Sequence, residues 1–139
     1  MGGVLSESLK PGACMPVSYV ERMKIYLAEL GKMEMSSVQG GTRPVLVLQN
    51  NTGNRNAPTV IVAPITSKLE KPHLPTHVVL EQSNLPKRSM VLLEQVMTID
   101  RAMLVKEYGE IGAHDKRSVE RALKVSFGLL HGPKAERRN

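Results

Sequence analysis

A chain of 139 residues is long enough for one domain with a real core, and 19 Lys and Arg against 13 Asp and Glu leave a net charge of +6 that favours a polyanion or an acidic protein segment as partner. One Phe, three Tyr and no Trp argue against base recognition on aromatic platforms, so a nucleic-acid contact would rest mainly on charge and hydrogen bonds. The single cysteine, Cys14, excludes an internal disulfide framework, the histidines have no metal-ligand spacing, and no run approaches the ~20 apolar residues of a bilayer span; the expectation is a cytoplasmic protein with no metal, no cofactor and no membrane partner.

Residues 1–20 carry little periodic signal and contain Pro11, Gly12 and Pro16, which reads as a partly disordered N-terminal extension. Met23 to Leu30 alternates as a first strand, although Glu21-Arg22-Met23-Lys24 fits a helix start equally well. Gly31 to Gly41 is a long polar loop carrying Ser36, Ser37 and Gln39, and loops of that length are often functional. Pro44 to Gln49 reads as a second strand, apolar on both faces through Val45 and Val47 against Leu46 and Leu48. Asn50 to Ala57 is dense in Asn and reads as a turn into a third strand, Thr59 to Ile65, which pairs with the second as a hairpin.

Beyond a Lys/Pro-rich loop, Thr76 to Glu81 alternates as a fourth strand and Ser89 to Val96 supplies a fifth. Thr98-Ile99-Asp100 begins a turn or helical piece with Asp100 as its cap, and Asp115 caps a last helix that lines up Val119, Ala122, Leu123, Ser126 and Leu130. Strands first and one amphipathic helix last predict a mainly β domain, a small curled sheet or barrel with the helix packed on it, over residues 21–131, followed by a basic tail at 132–139. No GxGxxG, no P-loop and no strand–helix alternation exist to support a Rossmann fold.

Chemistry concentrates at one rim. Arg43 follows Gly40-Gly41, whose backbone freedom suits a tight turn, and precedes Pro44, which sets the strand edge. Thr66 and Ser67 end the third strand; in an antiparallel pair the start of one strand faces the end of the other, so Arg43 and Thr66 fall at the same end and form a candidate anion cleft. A guanidinium beside a hydroxyl suits attack of a ribose 2′-OH on the adjacent phosphorus, because charge builds on the non-bridging oxygens and no metal is required. Ser37 and Gln39 can orient the phosphate or read a base edge. Glu94 and Gln95 offer a carboxylate for proton transfer and an amide for base reading, and equally can be structural partners. Plain alternatives exist for the others too: an arginine after two glycines is commonly a solvated charge, and hydroxyls at strand ends commonly form turns.

The segments Val38-Gln39-Gly40-Gly41-Thr42-Arg43-Pro44-Val45-Leu46-Val47-Leu48-Gln49-Asn50, Gly53-Asn54-Arg55, Pro58-Thr59-Val60-Ile61-Val62-Ala63-Pro64-Ile65-Thr66-Ser67, Leu74-Pro75-Thr76-His77-Val78 and Leu92-Leu93-Glu94-Gln95-Val96-Met97-Thr98-Ile99-Asp100 resemble the MazF/PemK family of toxin endoribonucleases in order and spacing. The resemblance runs from about Tyr26 to Leu130. It implies a small SH3-like or CcdB-like β-barrel with a C-terminal helix, a homodimer, metal-independent cleavage of single-stranded mRNA at short sequence motifs, and neutralisation by a small acidic antitoxin. By this resemblance Arg43 and Thr66 fall on the catalytic arginine and threonine, and Glu94 and Gln95 fall beside the RNA; Ser37, Gln39 and Ser67 complete the candidate RNA contacts. The chain departs from the family pattern at Met23-Lys24, where Gly-Asp is usual, at Val38, where a glutamate often stands, at Met97, which replaces an arginine, and at Arg88, which replaces an acidic residue. Each changes local charge, so the resemblance does not extend to a particular RNA motif. Two other readings share the fold: a catalytically weakened module that binds RNA or protein, and a gyrase-poisoning toxin, which the retention of Arg43 and Thr66 disfavours.

Overall fold

The computed structural model describes residues 17, 19–31, 41–70 and 73–131. Seven strands form one sheet: β1 (Lys24–Glu29), β2 (Thr42–Val47), β3 (Thr59–Thr66), β4 (His77–Val79), β5 (Met90–Leu92), β6 (Met97–Asp100) and β7 (Leu104–Glu110). The order is β4-β5-β3-β2-β1-β7, with β6 also on β3. Every pairing is antiparallel. β3 holds β2 on one edge through Val62, Ala63 and Pro64, while its other edge passes from β6, opposite Thr59 to Val62, to β5, opposite Ile65 and Thr66. That exchange of partners curls the sheet, and Pro64, which has no N–H to offer a ladder, sits at the handover. The end strands β4 and β7 do not pair with each other, so the expected barrel is a curled, open one.

Both faces of the sheet carry buried side chains, because the middle of the central strands, Val45 to Val47 of β2 and Val60 to Ile65 of β3, is apolar without a break. Ile25, Leu46, Leu48, Ala63, Ile65, Val91 and Leu93 point into one core with Val119 and Ala122 of the terminal helix, α2 (Ala113–Ser126). Tyr26, Ala28, Val45, Val47, Val60, Val62, Ile99 and Leu104 form a second core on the opposite face, joined by Val20. Each large side chain so buried contributes about 1.5–3 kcal/mol relative to exposure. The first strand is a strand and not a helix. Val17, within the expected extension, donates its N–H to the Leu104 carbonyl at 3.0 Å.

Several expectations are corrected. The Asn-rich segment is not a turn but a short helix, α1 (Asn51–Asn56), capped by the Asn50 side chain, which accepts the Gly53 N–H at 2.8 Å. Arg101 closes its other end by donating to the Asn54 and Ala57 carbonyls. Asn serves turns and helix caps alike, so composition did not separate the two. The fifth strand stops at Leu92 and a 3-10 turn, Leu93–Gln95, follows it. Thr98-Ile99-Asp100 belongs to β6, paired with β3, and the Asp100 side chain caps nothing. β7 was not expected at all: it is an edge strand with two slips in register, carrying Lys106, Glu107 and Glu110, and shows no clean alternation. Helix α2 ends at Ser126, leaving Leu130 beyond it.

Asp115 is not the cap of α2 either. Gly112 holds that position, and Asp115, fully buried in the first turn, accepts the N–H groups of Glu81 and Gln82 at 2.9 and 2.7 Å. The carboxylate ties the loop after β4 to the helix. Hydrogen bonds to a charged group contribute about 1.5–3 kcal/mol, so Asp115→Ala lowers the unfolding free energy by about 3 kcal/mol, read as a shifted urea midpoint, and Asp115→Asn, which keeps one acceptor oxygen, lowers it less.

Candidate functional site

β2 opens with Thr42 and Arg43, and Arg43 lies opposite Ala28 of β1. On the other side, Val45 faces Pro64 and Leu46 faces Ala63. The same register carried two residues outward sets Arg43 opposite Thr66, the last residue of β3, which also pairs with Met90. Arg43 is half-buried, and burial pushes its guanidinium pKa down from the ordinary value. Thr66 is 4% exposed, and its Oγ1 accepts the Lys68 N–H at 3.1 Å. That bond turns the chain out of the strand and leaves the hydroxyl proton with no acceptor among the described residues.

Arg43, Thr66 and Ser67 line one cleft of about 390 Å³. Two lysines, Lys68 and Lys87, line it with them, as do the hydroxyls of Thr42 and Ser89. Its walls are Leu27, Pro44, Ile65, Leu85, Pro86 and Tyr108, and among the described residues no carboxylate lines it. Three cations among apolar walls focus a positive field, which concentrates an anion and disfavours a neutral or cationic ligand.

Glu94 and Gln95 lie elsewhere, in the 3-10 turn, and do not line the cleft. Glu94 accepts the Thr76 hydroxyl at 2.9 Å and faces His77 Nε2 at 2.9 Å. His77 Nδ1 accepts the Leu74 N–H, which leaves the ring proton on Nε2 to donate to that carboxylate. Ser37 and Gln39, with Val38, lie outside the described residues. Of the departures from the family pattern, Lys24 is held by Glu107 at 3.1 Å and Glu21 at 3.2 Å, and those hydrogen bonds raise its ammonium pKa. The cleft residues that sequence reasoning missed are Thr42, Lys68, Lys87, Ser89 and Tyr108. Lys68 and Lys87 stand in loops where no local pattern marks a site, and Tyr108 belongs to the unexpected strand β7.

Residues 21–127 match the family model of PemK-like, MazF-like toxins of type II toxin–antitoxin systems. The chain belongs to that family. It is 42% identical over 112 residues to Endoribonuclease MazF of Staphylococcus saprophyticus, a match that spans 79% of this chain and 92% of that protein. Among solved structures, the Mycobacterium tuberculosis toxin MazF-mt6 superimposes with a TM-score of 0.64 at 27% identity, over 77% of this chain and 98% of its own. A mycobacterial endoribonuclease in complex with its cognate antitoxin gives a TM-score of 0.68 at 24% identity, over 80% and 97%. At that identity the likeness is one of fold. The curled sheet with its C-terminal helix is thus the MazF/PemK architecture.

Thr66 has a structural duty in this family member that is separable from any chemical one. Thr66→Val deletes the acceptor of the Lys68 N–H and lowers the unfolding free energy by about 1 kcal/mol, whereas Thr66→Ser leaves it unchanged; urea titration of the two variants checks this.

Proposed function

We propose that the chain is a metal-independent, sequence-selective endoribonuclease toxin that cuts single-stranded mRNA, with Arg43 and Thr66 at the reacting phosphate. The observation that carries this reading is the shared cleft: Arg43 and Thr66 line one space together with Lys68 and Lys87. The 42% identity to a protein named Endoribonuclease MazF supports the reaction class. In the proposed step the 2′-oxygen gives its proton to water and bonds to phosphorus, the bond to the 5′-oxygen breaks, and that oxygen takes up a proton from Arg43, which solvent restores. The products are a 2′,3′-cyclic phosphate and a 5′-hydroxyl.

Arg43 stabilises the charge that grows on the non-bridging oxygens with two parallel hydrogen bonds. It is also the group assigned to hand a proton to the leaving 5′-oxygen. Thr66 donates its hydroxyl proton to a phosphate oxygen, and Ser67, Lys68 and Lys87 hold the flanking backbone. Ser37 and Gln39, with Glu94 and Gln95, remain candidate contacts for neighbouring nucleotides. A cognate antitoxin with an acidic segment would silence the enzyme by covering this cationic cleft, which the net charge of +6 favours. A homodimer accords with Phe127 and Leu129, 59% and 76% exposed after α2, which leave apolar area for a second copy to cover. A cytoplasmic site of action follows from the mRNA substrate; no described helix is long and apolar enough to cross a membrane.

Arg43→Ala removes a donor that matters most in the transition state, so it raises the barrier by about 2.7–4 kcal/mol and slows cleavage of a defined RNA roughly 100- to 1,000-fold, with circular dichroism unchanged. Cleavage at the wild-type rate would reject the assignment. The reaction type is tested separately: EDTA leaves the rate unchanged, deoxyribose in place of the ribose 5′ to the cut abolishes cleavage, and the upstream product ends in a cyclic phosphate. A requirement for added Mg²⁺ would contradict this chemistry.

A further inference from the structure

We propose that Tyr108 is a stacking platform for one RNA base, the base beside the phosphate held at Arg43; this rests on the reading of the cleft as an RNA site. Aromatic side chains are so few that each can be accounted for. Tyr26 is fully buried and its hydroxyl accepts the Glu21 N–H at 3.0 Å. Tyr19 and Phe127 are 66% and 59% exposed, and neither lines the cleft. The residues outside the description include no Phe, Tyr or Trp. Tyr108 is therefore the single aromatic ring of this chain that lines the cleft.

Its place there is built by a β-bulge. Ile25 of β1 faces Gly109 and Tyr26 faces Glu107, so Tyr108 is an extra residue with no partner on β1. Bulges re-aim a side chain and recur at sheet edges and beside active sites. Gly109 takes a φ of +99°, a backbone state that costs glycine little. Asn84 locks the bulge by donating to the Tyr108 carbonyl at 2.9 Å, and a Cβ on Gly109 would stand 2.8 Å from the same Asn84 nitrogen. The lock also brings Leu85, Pro86 and Lys87 of the same loop to the cleft wall beside Tyr108.

One face of the ring is occupied by a group that a base can displace. Tyr108 packs against the first core, and the Lys106 Nζ stands 5.0 Å from its centroid. An exposed cation–π contact of this kind favours its geometry by about 2- to 5-fold. A base stacked on an aromatic side chain strengthens binding by about 5- to 160-fold. The base wins the ring. The Tyr108 hydroxyl has no partner among the described residues and is available to a base edge or to water.

The test begins with an mRNA digested by the wild-type protein, its cuts mapped by end sequencing. An oligonucleotide spanning the strongest cut, with deoxyribose at the cleaved position, is then made as a set in which each base in turn is removed. Wild type should lose about 10-fold in affinity when one particular base next to the cut is missing. Tyr108→Leu should bind the intact oligonucleotide about 10-fold more weakly and show no further loss at that position, while Tyr108→Phe follows wild type. A Tyr108→Leu variant with unchanged melting temperature that responds to the set as wild type does would overturn the inference. Should Tyr108→Leu fail to fold, 2-aminopurine at that position in the wild-type complex reads stacking directly, and unquenched fluorescence would overturn it. A wild-type protein that neither cuts nor binds any RNA would instead reject the reading on which this one rests.

Discussion

The pairing of β3 is the constraint on which the rest of the molecule depends. Its residues must send Val60 and Val62 into one core and Ala63 and Ile65 into the other, while β2 does the same with Val45 and Val47 against Leu46 and Leu48. A slip of one residue between these strands would exchange the two faces along their whole length. The burial of large side chains on both faces therefore sets the register, and the register sets Arg43 opposite Thr66. The candidate site inherits its geometry from the cores. The guanidinium and the hydroxyl are brought to one cleft by the packing of the strands that carry them.

The charge of the cleft is an arrangement of the whole surface. Carboxylates are not scarce in this chain, but several are engaged elsewhere. Glu94 is held by Thr76 and His77, Glu107 and Glu21 by Lys24, and Glu110 by Lys116. Asp115 is buried under backbone N–H groups. Exposed ion pairs contribute little to stability, typically below about 1 kcal/mol each. Their larger consequence is to engage negative charge with partners outside the cleft that Arg43, Lys68 and Lys87 line.

The edge strand β7 adds a second layer to the same site. A regular strand there would pair with β1 residue for residue and finish the sheet. The slip at Tyr108 and the positive φ of Gly109 break that pairing, and the Asn84 lock stabilises the break. A shortage of aromatic residues had argued against base stacking in general. One ring turned into a small cleft is a different situation from an aromatic sheet surface, and it is compatible with that composition.

Local signals in the sequence were enough for the strands β2 and β3, the two-sided burial of β2, the terminal amphipathic helix and the placing of Arg43 and Thr66 at one end of the hairpin, while β1 stayed open between strand and helix. Each follows from period-two or period-3.6 patterning and from the antiparallel rule, which act over a few residues. The ordered segments from Val38 to Asp100 likewise carried the family. Other features needed the tertiary structure. Whether Asn50 to Ala57 turns or winds into a helix depended on Arg101, far along the chain, reaching its carbonyls. Asp115 looked like a cap because helix starts favour Asp, but the N–H groups it satisfies belong to Glu81 and Gln82, across the fold. Lys68, Lys87 and Tyr108 gave no local sign of sharing a cleft, since only the curl of the sheet and the bulge in β7 bring them to one place. Local patterning determined which elements form and which faces they bury; long-range pairing and the satisfaction of distant polar groups decided what those elements enclose.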